Sequence, residues 1–122
     1  MDRKRILIVE DNDKNRLLVR DVLSYYGYEV IEARDGEKGL RMAKEHIPDL
    51  ILMDMQMPVM DGFDAIRMLK NDPDTKHIKI IAVTSFAMKG DKEKIIQAGA
   101  DDYIAKPVDT RELPRIIQGL LF

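Results

Sequence analysis

Five short runs rich in Leu and β-branched residues recur along the chain: ILIV (6–9), YEVI (28–31), LILM (50–53), IIAV (80–83) and DYIA (102–105). Between them the apolar spacing changes. Leu18, Val19, Val22, Leu23 and Tyr26 share one helical face, as do Leu40, Ala43 and Ile47, and Phe63, Ile66 and Leu69. Ile116, Ile117, Leu120 and Leu121 repeat the pattern near the C-terminus, and Ile95 and Ile96 anchor a weaker helix over 91–97. Gly27 and Gly99 fall where helix C-caps are expected. Strand–helix alternation of this kind predicts βαβ units and a parallel sheet. The first, third and fourth runs are apolar at consecutive positions, as central strands covered on both faces must be. The reading is one doubly wound α/β domain over residues 1–122.

The residues just after each run are more informative than the run itself. In an open parallel sheet, ligands bind beyond the carboxyl ends of the strands. ILIV leads into Glu10 and Asp11, LILM into Asp54, IIAV into Thr84 and Ser85, and DYIA into Lys106 and Pro107. The second run leads less distinctively into Glu32, Ala33 and Arg34. Taken singly, each has an ordinary explanation. An Asp after a strand is a turn former or helix cap, Glu10–Asp11 suits a helix N-terminus, and Lys106 is a solvated lysine. Together they put three carboxylates, a hydroxyl and an ammonium at one sheet edge.

Carboxylates about 4 Å apart repel by roughly 4 kcal/mol at an effective dielectric of 20. Either protons or a cation must join them. The chain has no cysteine, which excludes disulfides, thiolate metal sites and thiol nucleophiles. His46 and His77 lie away from the strand ends and read as surface residues. Oxygen ligands alone suit a hard cation, magnesium, with manganese as a substitute. Glu10, Asp11, Asp54 and Lys106 leave two negative charges, which a divalent ion cancels. Lys106 and Thr84 would then donate to an anion, and Asp54, at the end of a central strand, is the natural nucleophile for phosphoryl transfer.

In this combination ILIVEDN (6–12), DLILMDMQMPVMDG (49–62), IIAVTSFAMKGD (80–91) and AGADDYIAKP (98–107) resemble the receiver domain of two-component response regulators, and the likeness runs from Ile6 to about Leu121. The resemblance implies a flavodoxin-like five-stranded parallel sheet of order 2-1-3-4-5 with five helices. It implies Mg²⁺-dependent transfer of a phosphoryl group from a partner phosphohistidine to Asp54. Asp11 would ligate Mg²⁺ directly, Glu10 through water, and Gln56 through its backbone carbonyl, so that its side chain matters little. Thr84 and Lys106 would bind the phosphoryl group, and Tyr103 would be the switch aromatic that turns inward. The Lys106–Pro107 peptide would be cis, Pro58 would close the loop after Asp54, and Asp61–Gly62 would begin the next helix. The EDNxxN form (10–15) and FAMKGD (86–91) are similar to receivers of hybrid kinases and stand-alone cell-cycle regulators. Implied partners are a sensor histidine kinase or histidine phosphotransfer protein and a downstream protein target, in a monomer or a phosphorylation-dependent dimer.

Composition narrows the rest. The net charge of −2 gives no field to draw the chain to nucleic acid or acidic lipid. The apolar run after the basic N-terminus is too short for a signal peptide or membrane span, so a cytoplasmic protein is expected. The chain stops at Phe122, where the last helix should end, leaving no room for an output domain; it acts alone or is one domain of a longer protein. Pro114 is expected to kink the last helix or delay its start, with Asp109 and Glu112 forming a capping box. Met55, Met57, Met60 and Met68 read as packing and adaptable surface. Other readings stay open at this point. An aspartate-nucleophile phosphatase would want a second acid where Gln56 stands. A flavin or nucleotide binder would want a Gly-rich loop where EDNDKN (10–15) stands. A pseudo-receiver would bind partners without phosphorylation. External substrate turnover is not expected.

Overall fold

The computed structural model describes residues 3–57, 60–85 and 89–122. Five strands alternate with five helices: β1 Arg5–Val9, α1 Asp13–Tyr25, β2 Glu29–Ala33, α2 Gly36–His46, β3 Leu50–Asp54, α3 Gly62–Asn71, β4 Lys79–Thr84, α4 Lys89–Ala98, β5 Asp102–Ala105 and α5 Glu112–Leu121. All strand pairs are parallel and the sheet order is β2-β1-β3-β4-β5, the flavodoxin-like order expected.

Side-chain alternation divides the core between two faces. Ile6, Ile8, Leu50, Leu52, Ile81 and Val83 pack with residues of α1 and α5. Leu7, Val9, Ile51, Met53, Ile80 and Ala82 pack with residues of α2, α3 and α4 on the other face. Every residue of β3 is buried, as a strand covered on both sides requires. Met53, Met55 and Met57 all belong to the second cluster, Met60 packs against it, and Met68 is exposed. The methionines around Asp54 are therefore packing.

Several boundaries differ from the sequence reading. β2 begins at Glu29 and runs to Ala33, so Glu32 and Ala33 lie inside the strand and Tyr28 precedes it. It is an edge strand, and its polar residues blur the apolar run. Gly27 and Gly99 do take positive φ, 91° and 123°, at the ends of α1 and α4. The end of α2 gave no such signal, because Ile47, a β-branched residue, occupies the left-handed position. At Pro114 the second of the two expected outcomes holds, a late start of α5. The helix starts at Glu112, so Pro114 falls in the first turn, where its missing N–H has no helical partner to lose. Asp109 Oδ1 still accepts from the N–H groups of Arg111 (2.8 Å) and Glu112 (3.3 Å), but from ahead of the helix.

Candidate functional site

Neighbouring strands set the position of each site residue. The Glu10 N–H donates to the Ala33 carbonyl at 3.1 Å, carrying the β1–β2 ladder one residue past β1. The Met55 N–H donates to the Val83 carbonyl (2.9 Å) and the Lys106 N–H to the Thr84 carbonyl (2.8 Å). Glu10, Asp54, Thr84 and Lys106 therefore leave the sheet at one edge. Asp54 and Thr84 are the last residues of their strands rather than the first beyond them, and both are 1% exposed.

Glu10, Asp11 and Asp54 each offer a carboxylate oxygen within 4.8 Å of the others. Lys106 Nζ lies 2.6 Å from Asp54 Oδ1 and 3.9 Å from Glu10 Oε1. Asp54 Oδ1 also accepts from the Gln56 N–H at 3.0 Å. Asp54 Oδ2 is buried with no hydrogen-bond donor among the described residues. Burial, and then the neighbouring Asp54 carboxylate, push Glu10 up to about 8, against a smaller opposing pull from the Asn12 N–H that its Oε2 accepts at 3.1 Å. A carboxyl raised this far and a buried oxygen lacking a donor both mark a site short of positive charge. A hard divalent cation fits that donor set, with Glu10, Asp11 and Asp54 as its ligands.

The edge opens into a cavity of about 370 Å³. Glu10, Asp54, Ser85 and Lys106 line its polar side, and Leu18, Pro107 and others its apolar side, toward α1 and the start of α5. The Lys106–Pro107 peptide is cis. Tyr103 is half-buried against the α2–α4 face, with Lys92 Nζ 5.0 Å from its ring centroid. Asp61 caps α3 by accepting from the Asp64 N–H at 2.9 Å. Gly62 comes next because a Cβ there would meet the Met55 backbone at 2.8 Å and the Asp54 carbonyl at 3.0 Å. His46 and His77 are exposed, as expected. Pro58, and the middle of the loop from Thr84 to Gly90, lie outside the described residues.

One residue at the site, Arg16, escaped the sequence reading, and a second, Gln56, was read only in part. Arg16 is buried on α1, where its guanidinium donates to the Glu10 carbonyl (3.0 Å) and pairs with Glu32 (3.2 Å) and Asp13 (2.5 Å). It fixes the backbone that presents the acidic pair. Its signal was a lone arginine among the apolar positions of the first helix. Gln56 was expected to matter only through its backbone. Its side chain in fact spans two loops, with Nε2 donating to Thr84 Oγ1 (3.1 Å) and Oε1 accepting from the Ser85 N–H (2.9 Å).

The family profile of the response regulator receiver domain matches residues 6–118. The polar-differentiation response regulator DivK of Brucella anthropi is 49% identical over 115 residues, 94% of this chain and 91% of that protein. The receiver domain of a sensor histidine kinase from Pseudomonas aeruginosa, solved with magnesium in its active-site cleft, superposes with a TM-score of 0.90 at 39% identity, covering 98% of each chain. A chain of the Saccharomyces cerevisiae co-crystal of the histidine phosphotransfer protein Ypd1 with the receiver domain of its downstream response regulator Ssk1 also matches. Its TM-score is 0.90 at 27% identity, over 98% of this chain and 89% of that one.

Proposed function

The chain belongs to the response regulator receiver family, and we propose that it is a phosphoacceptor switch in which Asp54 takes a phosphoryl group from a partner phosphohistidine with the help of Mg²⁺. The observation that carries this reading is the state of Asp54. It is buried, one oxygen lies 2.6 Å from Lys106, and the other has no donor among the described residues. A carboxylate in that state is poised to attack phosphorus, because burial has removed the water that would blunt it.

In the transfer an Asp54 oxygen forms a bond to phosphorus as the bond from phosphorus to the imidazole nitrogen breaks. The imidazole keeps the electron pair. Glu10, Asp11, Asp54 and the Gln56 carbonyl would hold Mg²⁺, which when bound offsets charge on the phosphoryl oxygens. Lys106 and Thr84, brought to the same sheet edge by their strands, donate to those oxygens. The product acyl phosphate carries nearly two negative charges where Asp54 carried one. That added charge draws Lys106 and Thr84 toward it, and Tyr103, on the strand that leads into Lys106, reports the change to the surface formed by α4, β5 and α5.

Residues 1–122 act as one such domain. Turnover of an external substrate is not part of the reading, since Gln56 offers a carboxamide where a general acid would be needed. The donor is a sensor histidine kinase or a phosphotransfer protein, as in the Ypd1–Ssk1 pair, and the output is altered contact with a protein target. No helix of the described residues is long and apolar enough to cross a membrane.

The test is intact mass after incubation with acetyl phosphate, with and without Mg²⁺. Wild type should gain one phosphoryl group only with Mg²⁺, and Asp54→Asn should gain none under either condition. A gain in Asp54→Asn would move the acceptor elsewhere, and no gain in wild type would favour a pseudo-receiver.

A further inference from the structure

The backbone ladder between β3 and β4 ends with the Met55 N–H on the Val83 carbonyl. One residue further on, the Gln56 side chain takes over. Its orientation is fixed by chemistry, because the Ser85 N–H can only donate and must face Oε1, which turns Nε2 toward the Thr84 hydroxyl. The carboxamide thus mimics one more peptide unit and ties the exit of β4 to the loop that follows Asp54. Ser85 lines the same cavity as Asp54 and Lys106. Its N–H is already held by the carboxamide oxygen at 2.9 Å.

A phosphoryl group on Asp54 brings three strong acceptor oxygens into this space. From these contacts we infer that the Gln56 side chain is a latch holding the exit of β4 in its unphosphorylated arrangement. It is a positioning residue: it acts through Thr84 and Ser85. The phosphoryl oxygens compete with Oε1 for the Ser85 N–H, and the switch completes when the carboxamide lets go. The latch rests on the phosphoacceptor reading of Asp54 and adds what resists the switch.

Beryllofluoride at saturating Mg²⁺ is the probe, since it sets an anion beside Asp54 without covalent turnover. Its affinity is measured by titration, while the Ser85 amide and the Gln56 side-chain amide are followed by NMR. Gln56→Ala removes the competing acceptor and should bind beryllofluoride about three- to tenfold more tightly, the scale of one hydrogen bond. Gln56→Asn keeps the amide but is one methylene too short to span the loops, and should behave like Gln56→Ala. In wild type both amide signals should shift together on binding. Wild type that binds while neither variant binds more tightly overturns the latch and leaves the acceptor reading intact. Wild type that binds no beryllofluoride overturns both.

Discussion

Asp101 and Asp54 stand at opposite ends of the same sheet. Asp101, just before β5, accepts the Ile80 N–H at 2.8 Å through Oδ2, and Lys70 Nζ lies 3.5 Å from that oxygen. Asp49, just before β3, does the same for the Arg5 N–H at 2.8 Å. Where strands begin, a carboxylate closes the ladder and is consumed by it. Where strands finish, Glu10, Asp11 and Asp54 converge with Lys106 as the partner that the carboxylates of Glu10 and Asp54 share. The residue type is the same at both ends. With Asp54 as the proposed phosphoacceptor, reactivity resides at the end whose hydrogen bonding is incomplete.

The sharpest way to break this contrast is to neutralise one aspartate at each end. Asp54→Asn should lose phosphoryl uptake altogether and cost little stability, because it removes a buried charge together with its pair to Lys106. Asp101→Ala should keep uptake and lose about 1–3 kcal/mol, the cost of leaving the Ile80 N–H without its acceptor. Intact mass and denaturant unfolding read the two effects. Equal destabilisation by both variants would end the distinction.

A second effect comes from Glu10, raised from its ordinary 4.5 to about 8. A proton there competes with a cation, so Mg²⁺ affinity measured by calorimetry should rise by up to about tenfold per pH unit below pH 8 and level off above it. Stability without metal should run the opposite way. Between the two values the folded chain holds a proton that the unfolded chain has lost. The contribution of Glu10 is therefore complete below about pH 4.5 and lost as pH rises through about 8. A flat Mg²⁺ affinity over this range would show that Glu10 is ionised before the cation arrives.

The smallest effect should come from Lys70→Met at the strand-start end. Lys70 Nζ donates to the carbonyls of Lys76 (3.2 Å) and Ile78 (2.8 Å) from a partly exposed position. Its loss should cost about 1 kcal/mol or less and leave uptake unchanged. Lys106→Met, by contrast, should impair uptake by removing the cation beside Asp54.

The strand-end grouping was legible because it is local. An apolar run locates a strand, and the next residue then sits at its carboxyl edge, so Glu10, Asp54, Thr84 and Lys106 could be placed together without coordinates. Arg16 went unread although Asp13 and Glu10 are close in sequence, whereas the contacts of the Gln56 side chain join residues far apart. The partners of Gln56 are Thr84 and Ser85, 28 and 29 residues away, and no periodicity marks such a bond. Asp49 and Asp101 each stand before an apolar run, a signal present in the sequence, but they were read only as parts of the motifs that carry the resemblance. β2 was shifted because Glu29 and Glu32 interrupt its apolar pattern on an edge that tolerates them.

Sheet order also dictates when the site can exist during synthesis. β5 pairs only with β4, at the edge of the sheet, and Lys106 comes directly after it. A chain growing from its N-terminus displays Glu10, Asp11 and Asp54 well before the ribosome has made Lys106. Until then the acidic edge has no ammonium to balance it. On the phosphoacceptor reading, a nascent chain lacking β5 and Lys106 would hold Asp54 without the cation proposed to position the incoming phosphoryl group, and competence would arrive only with the last strand.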